Sequence, residues 1–188
     1  MSQQQLLKTV VSVLENAGIE YMLTGSLVSS LQGEPRSTHD IDLVITLSPQ
    51  SVPVIMKAFP QSEFYINEQS MYDAIKHESM FNLISHQEGD KVDFWVLTQD
   101  PFDQSRFSRR KEEEVFGLRL LVSTPEDTIL AKLRWAKLAG GSEKHFRDAL
   151  RVYELQKDLL DEEYLERWIK SLGLEALWDR LLSEAELL

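Results

Sequence analysis

The sequence predicts an α+β protein with two regions. Short apolar strands alternate with helices up to residue 122, and two of these strands are close enough in sequence to form an antiparallel hairpin. From residue 123 onward, apolar residues recur at helical spacing between glycine and proline breaks. We therefore predict a core of strands and helices over 1–122 and a helical region over 123–188.

The chain opens with a helix, a strand and a second short helix. Hydrophobic periodicity places these three elements at 4–17, 19–23 and 27–32. Gly25 and Ser26 then lie where a strand turns into a helix. At such a turn, backbone N–H groups and the helix dipole favour an anion, although a Gly-Ser pair is also common in ordinary turns.

Asp40 and Asp42 are the most informative residues of the chain. They begin a strand over 40–45 whose alternation places Ile41, Leu43 and Ile45 on one face and both carboxylates on the other. The two carboxylates are then roughly 7 Å apart, so they repel each other unless a cation neutralises them. The pattern predicts a divalent-cation site, and the alternative is a strand that ends at a solvated acidic edge.

A third carboxylate follows in the predicted hairpin. After a helix over 49–59, strands are predicted over 80–85 and 91–97. Asp93 lies on the opposite face of its strand from Val92 and Phe94. If this strand lies beside the one with Asp40 and Asp42, Asp93 completes a set of three carboxylates; otherwise it protects an edge strand from aggregation.

The rest of the chain is predicted to be helical after one more strand. A polar connection over 106–111 leads to a strand over 118–122, and helices are expected over 125–138, 143–155, 161–171 and 174–186. Thr124 is a good N-cap for the first of these helices, with Pro125 at its first position. Lys132 is solvated by default, and Asp148 on the next helix is placed to pair with either Lys132 or Arg134.

Composition limits the chemistry. The absence of cysteine excludes disulfides and thiolate zinc sites, which leaves oxygen ligands and favours Mg²⁺ or Mn²⁺. A net charge of −11 argues against a protein that coats nucleic acid. Residues 104–151 nevertheless carry 11 basic and 7 acidic side chains, which suits either a solvated helix face or a cradle for phosphates.

No stretch of the sequence has the length and apolar character of a membrane span. The first residues also lack the basic and then apolar layout of a signal peptide. We therefore expect a cytoplasmic protein with no membrane partner.

These motifs together resemble the nucleotidyltransferase superfamily with the DNA polymerase beta type fold. The resemblance rests on Gly25-Ser26, on the run from Arg36 through Thr38 to Leu43, and on Asp93. The later stretches 124–127, 132–134 and 147–148 are similar to stand-alone bacterial nucleotidyltransferases of the abortive-infection toxin/antitoxin kind. Altogether the resemblance covers about residues 15–155.

The resemblance implies a fold and a set of roles. The fold would be a mixed, mostly antiparallel sheet with helices on one side, followed by a helical C-terminal region. Metal ions would be bound by Asp40, Asp42 and Asp93, and Asp93 would also help to deprotonate the attacking hydroxyl. Nucleotide phosphates would be bound by Gly25, Ser26, Arg36, Thr38 and Lys132, with Asp148 orienting Lys132.

The implied activity is transfer of a nucleoside monophosphate (NMP) from a nucleoside triphosphate (NTP) such as ATP to a hydroxyl, with release of pyrophosphate. The acceptor is left open between an RNA end such as that of tRNA, a protein side chain and a small molecule of the aminoglycoside type. The alternative is a catalytically silent relative that acts as a binding or regulatory protein, for example with a cognate toxin or antitoxin partner.

Overall fold

The computed structural model describes residues 2–87 and 89–185, which form two compact units. The first unit contains the described chain up to Thr24 together with Thr38–Val122. The second unit contains Gly25–Ser37 together with the described residues from Ser123 onward. The second unit therefore combines the C-terminal helices with a segment from the N-terminal half of the chain.

The strands of the described chain all lie in the first unit and form one seven-stranded sheet. They are β1 (Tyr21–Thr24), β2 (Asp40–Ile45), β3 (Phe64–Tyr65), β4 (Met80–Ser85), β5 (Lys91–Val96), β6 (Lys111–Val115) and β7 (Leu118–Val122). Their order in the sheet is β3-β4-β5-β2-β1-β7-β6. The pairs β1–β7 and β2–β5 are parallel and the other four neighbouring pairs are antiparallel. The predicted α+β class, the mixed, mostly antiparallel sheet and the β4–β5 hairpin are confirmed.

Helices are found in both units. They are α1 (Gln3–Asn16), α2 (Gly25–Gln32), α3 (Val52–Ala58), α4 (Glu68–His77), α5 (Pro101–Ser108), α6 (Pro125–Leu138), α7 (Glu143–Gln156), α8 (Glu162–Leu172) and α9 (Glu175–Glu184), with 3₁₀ turns at Pro49–Ser51 and Lys157–Leu159. The first unit contains α1, α3, α4 and α5, and the second contains the others. None of the described helices combines the length and apolar character that crossing a membrane requires. The predicted end of the last helix at Glu186 lies outside the described residues.

Burial on one face of the sheet fixes the pairing of β2 with β5. Residues 41, 43 and 45 of β2 lie opposite 92, 94 and 96 of β5. All six side chains are buried. A shift of one residue in either strand would turn these apolar side chains out of the core and turn carboxylates into it. The apolar face therefore determines where the polar face of the same two strands places its charges.

The predicted polar connection over 106–111 is wrong, because most of it is helix α5 followed by the start of strand β6. Asp100 caps α5 by accepting hydrogen bonds from two backbone N–H groups, and Pro101 occupies its first turn. The helix is held to the unit by the buried side chains of Phe102 and Phe107. β6 lies at the edge of the sheet, and its exposed charged side chains suit an edge strand.

In the second unit, the start of α6 follows the prediction. The Thr124 hydroxyl accepts a hydrogen bond from the Asp127 N–H at 3.3 Å and donates one to Asp127 Oδ2 at 2.8 Å. Asp127 is fully buried, and its Oδ1 accepts a 2.6 Å hydrogen bond from the Tyr164 hydroxyl of α8. Glu126 accepts a hydrogen bond from the backbone N–H of Asp161, the N-cap of α8. The acidic first turn of α6 thus holds α8 in place.

Helices α2 and α7 approach each other closely at Gly33. A Cβ atom at this position would lie 2.9 Å from both the Ser29 carbonyl oxygen and the Val152 backbone nitrogen. Neither backbone atom can move without shifting its helix, so only glycine fits here.

We predict that Tyr164→Phe lowers the free energy of unfolding by about 2 kcal/mol, because it removes a 2.6 Å hydrogen bond to a buried carboxylate. Tyr153→Phe is the matched control: Tyr153 also lies in the second unit, where its ring packs against Trp178 and its hydroxyl has no assigned hydrogen bond to the described residues. Urea unfolding should show a change below about 0.5 kcal/mol for the control. Equal effects of the two substitutions would contradict the role given to Asp127.

Candidate functional site

The parallel pairing of β2 with β5 brings the three predicted carboxylates to one sheet face in the first unit. Asp42 lies directly opposite Asp93 in the register, and Asp40 lies two residues earlier on β2. Because directly paired residues share a face of a sheet, all three side chains belong to the same face. The placement of Asp93 beside the acidic strand, which the sequence left open, is therefore confirmed.

This face changes from apolar to acidic along the strands. Val44 forms a buried cluster with Met22 and Phe107, and Trp95 and Leu97 pack against it. Two residues before Val44 comes Asp42, and two before that comes Asp40, which is exposed. The apolar cluster thus shields one end of the face, and the carboxylates occupy the other.

Asp93 is the most buried of the three carboxylates and has a partner for each oxygen. Its side chain is 11% exposed, and its Oδ2 lies 2.8 Å from Lys91 Nζ. Asn82, which is opposite Asp93 on β4, donates a hydrogen bond from Nδ2 to Oδ1. A carboxylate this far removed from water requires such partners, since the cost of burying its charge is otherwise several kcal/mol.

Lys91 is a site residue that the sequence reasoning missed. It lies opposite Asp40 in the register, and its Nζ is 3.7 Å from Asp40 Oδ1. The hydrogen bond with Asp93 raises the pKa of Lys91, as do the charges of Asp93, Asp40 and Asp42, whereas partial burial lowers it. Strand alternation was the signal for it, since Lys91 is two residues before Asp93 and therefore shares its face.

The carboxylates suit Mg²⁺ or Mn²⁺ in donor type, because both ions prefer oxygen ligands. Within residues 2–87 and 89–185, no three His, Cys, Asp or Glu side chains are arranged as a metal site. The Lys91 ammonium pairs with two of these carboxylates, Asp93 and Asp40, where it acts as a counter-ion. The three carboxylates are thus the right type of ligand for a hard divalent cation. In this structure two of them, Asp40 and Asp93, are paired with Lys91.

In the second unit, Asp148 and three of the predicted phosphate-binding residues form one cluster. Asp148 accepts hydrogen bonds from Arg36 Nε at 3.0 Å and Nη2 at 2.9 Å, and from Lys132 Nζ at 2.7 Å. Arg36 Nη2 also donates to Ser26 Oγ at 2.7 Å, and Lys132 Nζ lies 3.4 Å from the same oxygen. The proposed pairing of Lys132 with Asp148 is confirmed, and the cluster joins two cations with one carboxylate.

The cluster keeps Asp148 ionised. Burial alone raises the pKa of Asp148, but the hydrogen bonds and charges of Arg36 and Lys132 outweigh it and hold that pKa below its ordinary value. His145, one turn earlier on α7, has a lowered pKa because of burial and the nearby charge of Lys132. The imidazole of His145 is therefore neutral at pH 7, and sequence reasoning gave no reason to select it.

A cavity of about 640 Å³ lies beside this cluster within the second unit. Five basic and four acidic residues line it, and Arg36 and Asp148 are among them. Lys144 and Arg147 line it from α7 with exposed side chains. A concave surface with an excess of basic side chains is suited to an anionic group.

The remaining two predicted residues are placed as follows. Gly25 begins α2 with a φ of +75°, a backbone conformation that favours glycine over any residue with a Cβ atom. Thr38 lies in the first unit, where its carbonyl oxygen accepts a 3.0 Å hydrogen bond from Gln3. The nucleotide-binding roles of both residues stay predictions.

Solved structures provide the comparison for this fold. A crystal structure of an antigenic nucleotidyltransferase-like protein from Paracoccidioides brasiliensis matches with a TM-score of 0.55 and 16% identity, over 93% of this chain and 91% of that one. The crystal structure of ANT(2'')-Ia in complex with adenylyl-2''-tobramycin matches with a TM-score of 0.59 and 11% identity, over 94% of this chain and 99% of that one. The solution structure of the antibiotic-resistance factor ANT(2'')-Ia matches with a TM-score of 0.53 and 12% identity, over 97% of this chain and 96% of that one.

No protein-family model and no curated protein matches the sequence. At identities of 11–16%, the structural likeness establishes the fold and leaves the activity to be argued from the site. The chain has the nucleotidyltransferase fold that its motifs predict.

Proposed function

We propose that this protein transfers a nucleoside monophosphate from an NTP to an acceptor hydroxyl and releases pyrophosphate, with Mg²⁺ or Mn²⁺ as cofactor. The observation that carries the proposal is the β2–β5 register, which sets Asp42 opposite Asp93 with Asp40 on the same face. The fold supports it, because the similar structures include ANT(2'')-Ia with an adenylylated small molecule. Three carboxylates on adjacent strands are suited to holding divalent cations.

At the acidic face, Asp40, Asp42 and Asp93 would hold the cations. When bound, these ions neutralise the triphosphate and make the attacking hydroxyl more acidic. The hydroxyl oxygen forms a bond to the α-phosphorus while the bond from that phosphorus to the bridging oxygen of pyrophosphate breaks. The hydroxyl proton passes to a carboxylate oxygen of Asp93, whose other oxygen is held by Asn82.

The second unit, taken by itself, has a cluster of groups suited to binding phosphate oxygens. Arg36 and Lys132 present two positive charges against the single negative charge of Asp148, and Ser26 adds a hydroxyl at the start of α2. Charge-assisted hydrogen bonds of this kind stabilise the charge that develops on a leaving pyrophosphate. Asp148 acts as a positioning residue, since it fixes both cations through its two oxygens.

The acceptor is a hydroxyl of an RNA end, a protein side chain or a small molecule. The adenylylated tobramycin bound to ANT(2'')-Ia supports a small molecule, whereas the basic side chains that line the cavity support an anionic acceptor. Pyrophosphate release measured with each NTP, in the presence of tRNA, an aminoglycoside or a protein mixture, separates these classes.

We predict that Asp42→Asn and Asp93→Asn each lower the rate of pyrophosphate release at least about 100-fold, because each removes a charge that the reaction requires. Asp73→Asn is the matched control, since Asp73 is an exposed aspartate of α4 in the same unit. Its activity should equal that of the wild type. Wild-type rates in the Asp42 and Asp93 variants would rule out the proposed function.

Lys132→Met should weaken ATP binding about tenfold or more, the change expected from loss of one charge-assisted hydrogen bond. Isothermal titration calorimetry gives the dissociation constant directly. Lys170→Met is the control, because Lys170 is an exposed lysine of α8 in the same unit. If both variants bind ATP as tightly as the wild type, Lys132 has no part in nucleotide binding.

Asp148→Asn should destabilise the protein in a pH-dependent manner. Because the folded-state pKa of Asp148 is lowered, its contribution to stability is full above the unfolded-state pKa of about 3.9 and is lost as the pH falls through the folded-state pKa. We expect a cost of about 3 kcal/mol at pH 7 that stays constant down to about pH 5 and shrinks below about pH 4. Urea unfolding of both proteins between pH 3 and pH 7 tests this, and a constant difference across that range would contradict it.

A further inference from the structure

Lys91 has no role in the nucleotidyl transfer described above, yet it lies on the acidic face and contacts two of its carboxylates. Its Nζ is 2.8 Å from Asp93 Oδ2 and 3.7 Å from Asp40 Oδ1, so it lies where a cation shared by these two carboxylates would lie. Its side chain is 35% exposed, compared with 11% for Asp93. Lys91 therefore has more access to solvent than Asp93, although less than Asp40, whose side chain is 55% exposed.

We propose that Lys91 is a tethered counter-cation, which neutralises the carboxylates in the metal-free protein and must leave them when a divalent cation binds. This inference rests on the proposed function, because it takes Asp40 and Asp93 as metal ligands. It adds that Lys91 sets how tightly this protein binds its metal.

The contacts of Asp93 support direct competition. One oxygen accepts a hydrogen bond from the neutral amide of Asn82 and the other is in contact with the Lys91 ammonium, so a metal cation that binds Asp93 is repelled by Lys91 and not by Asn82. Asn82 extends from the adjacent strand β4, and its side chain is short. Lys91 has a flexible four-carbon stem that reaches solvent, and it is therefore the donor that withdraws.

The position of Lys91 in the register supports the same role. Lys91 is paired with Asp40 across the β2–β5 ladder and lies two residues before Asp93, so backbone geometry alone keeps its side chain on the acidic face. A displaced Lys91 ammonium thus stays near the carboxylates and returns when the metal leaves. Its fixed position on the strand distinguishes Lys91 from a surface lysine whose contact with an aspartate is incidental.

The test is Mn²⁺ binding by the full chain, measured from the electron paramagnetic resonance signal of free Mn²⁺ without nucleotide. Lys91→Met, which keeps the apolar stem and removes the charge, should bind Mn²⁺ about tenfold more tightly than the wild type. Lys91→Arg keeps a positive charge and should bind no more tightly than the wild type. The matched control is Lys111→Met, since Lys111 is exposed and also begins a strand in the first unit.

Thermal unfolding gives a second readout. Without divalent cations, Lys91→Met should melt at a lower temperature than the wild type, because its carboxylates have lost their counter-ion. Saturating Mn²⁺ should close that gap or, if the variant is unfolded without metal, restore the fold. A deficit that Mn²⁺ leaves unchanged would overturn the inference, as would Mn²⁺ affinity in Lys91→Met equal to or weaker than that of the wild type.

The inference and the proposed function fail in different ways. If Asp42→Asn abolishes Mn²⁺ binding while Lys91→Met leaves it unchanged, the tethered-cation role is wrong and the metal site stands. If Lys91→Met tightens Mn²⁺ binding but the wild type transfers no nucleotide, the proposed reaction is wrong and the role of Lys91 stands.

Discussion

The structure of the first unit depends on how three like charges on two adjacent strands are balanced. A one-residue shift would remove the apolar side chains of β2 and β5 from the core, and the observed register brings Asp42 opposite Asp93. Burial of the apolar side chains on one face thus stabilises a pairing of strands in which the carboxylates lie close together on the other face. Lys91 and Asn82 reduce the resulting repulsion, and both are supplied by the same sheet.

In the second unit, positive charges lie close together and a carboxylate balances them. Arg36 and Lys132 are two cations in close proximity, and Asp148 is held between them as an ionised carboxylate. Each unit thus pairs its clustered charges internally, with two negative charges in excess among the named residues of the first unit and one positive charge in excess among those of the second. Paired charges are already oriented, so a ligand of opposite charge meets fixed groups and loses less entropy on binding.

Local rules predicted much of this fold from the sequence, but they did not reveal which elements meet. Alternation placed Asp40, Asp42 and Asp93 correctly on their strands, whereas the β2–β5 pairing joins strands about 50 residues apart and depends on burial throughout the sheet. Helices α4 and α5 were missed because each buries only two side chains, which gives a weak helical period.

Lys91 was missed for a different reason, which concerns how the charge pattern of the strand was interpreted. The paired aspartates predicted a divalent metal ion, which stays a prediction, and no cation was sought among the residues of the same strand face. An ammonium with one charge stabilises the carboxylates enough for the strands to pair without metal, yet a divalent ion attracts the same oxygens with twice the charge. Under the proposed metal-binding role, a lysine at this position separates the folding of the acidic face from metal binding, and a carboxylate site without such a lysine would depend on the metal for both.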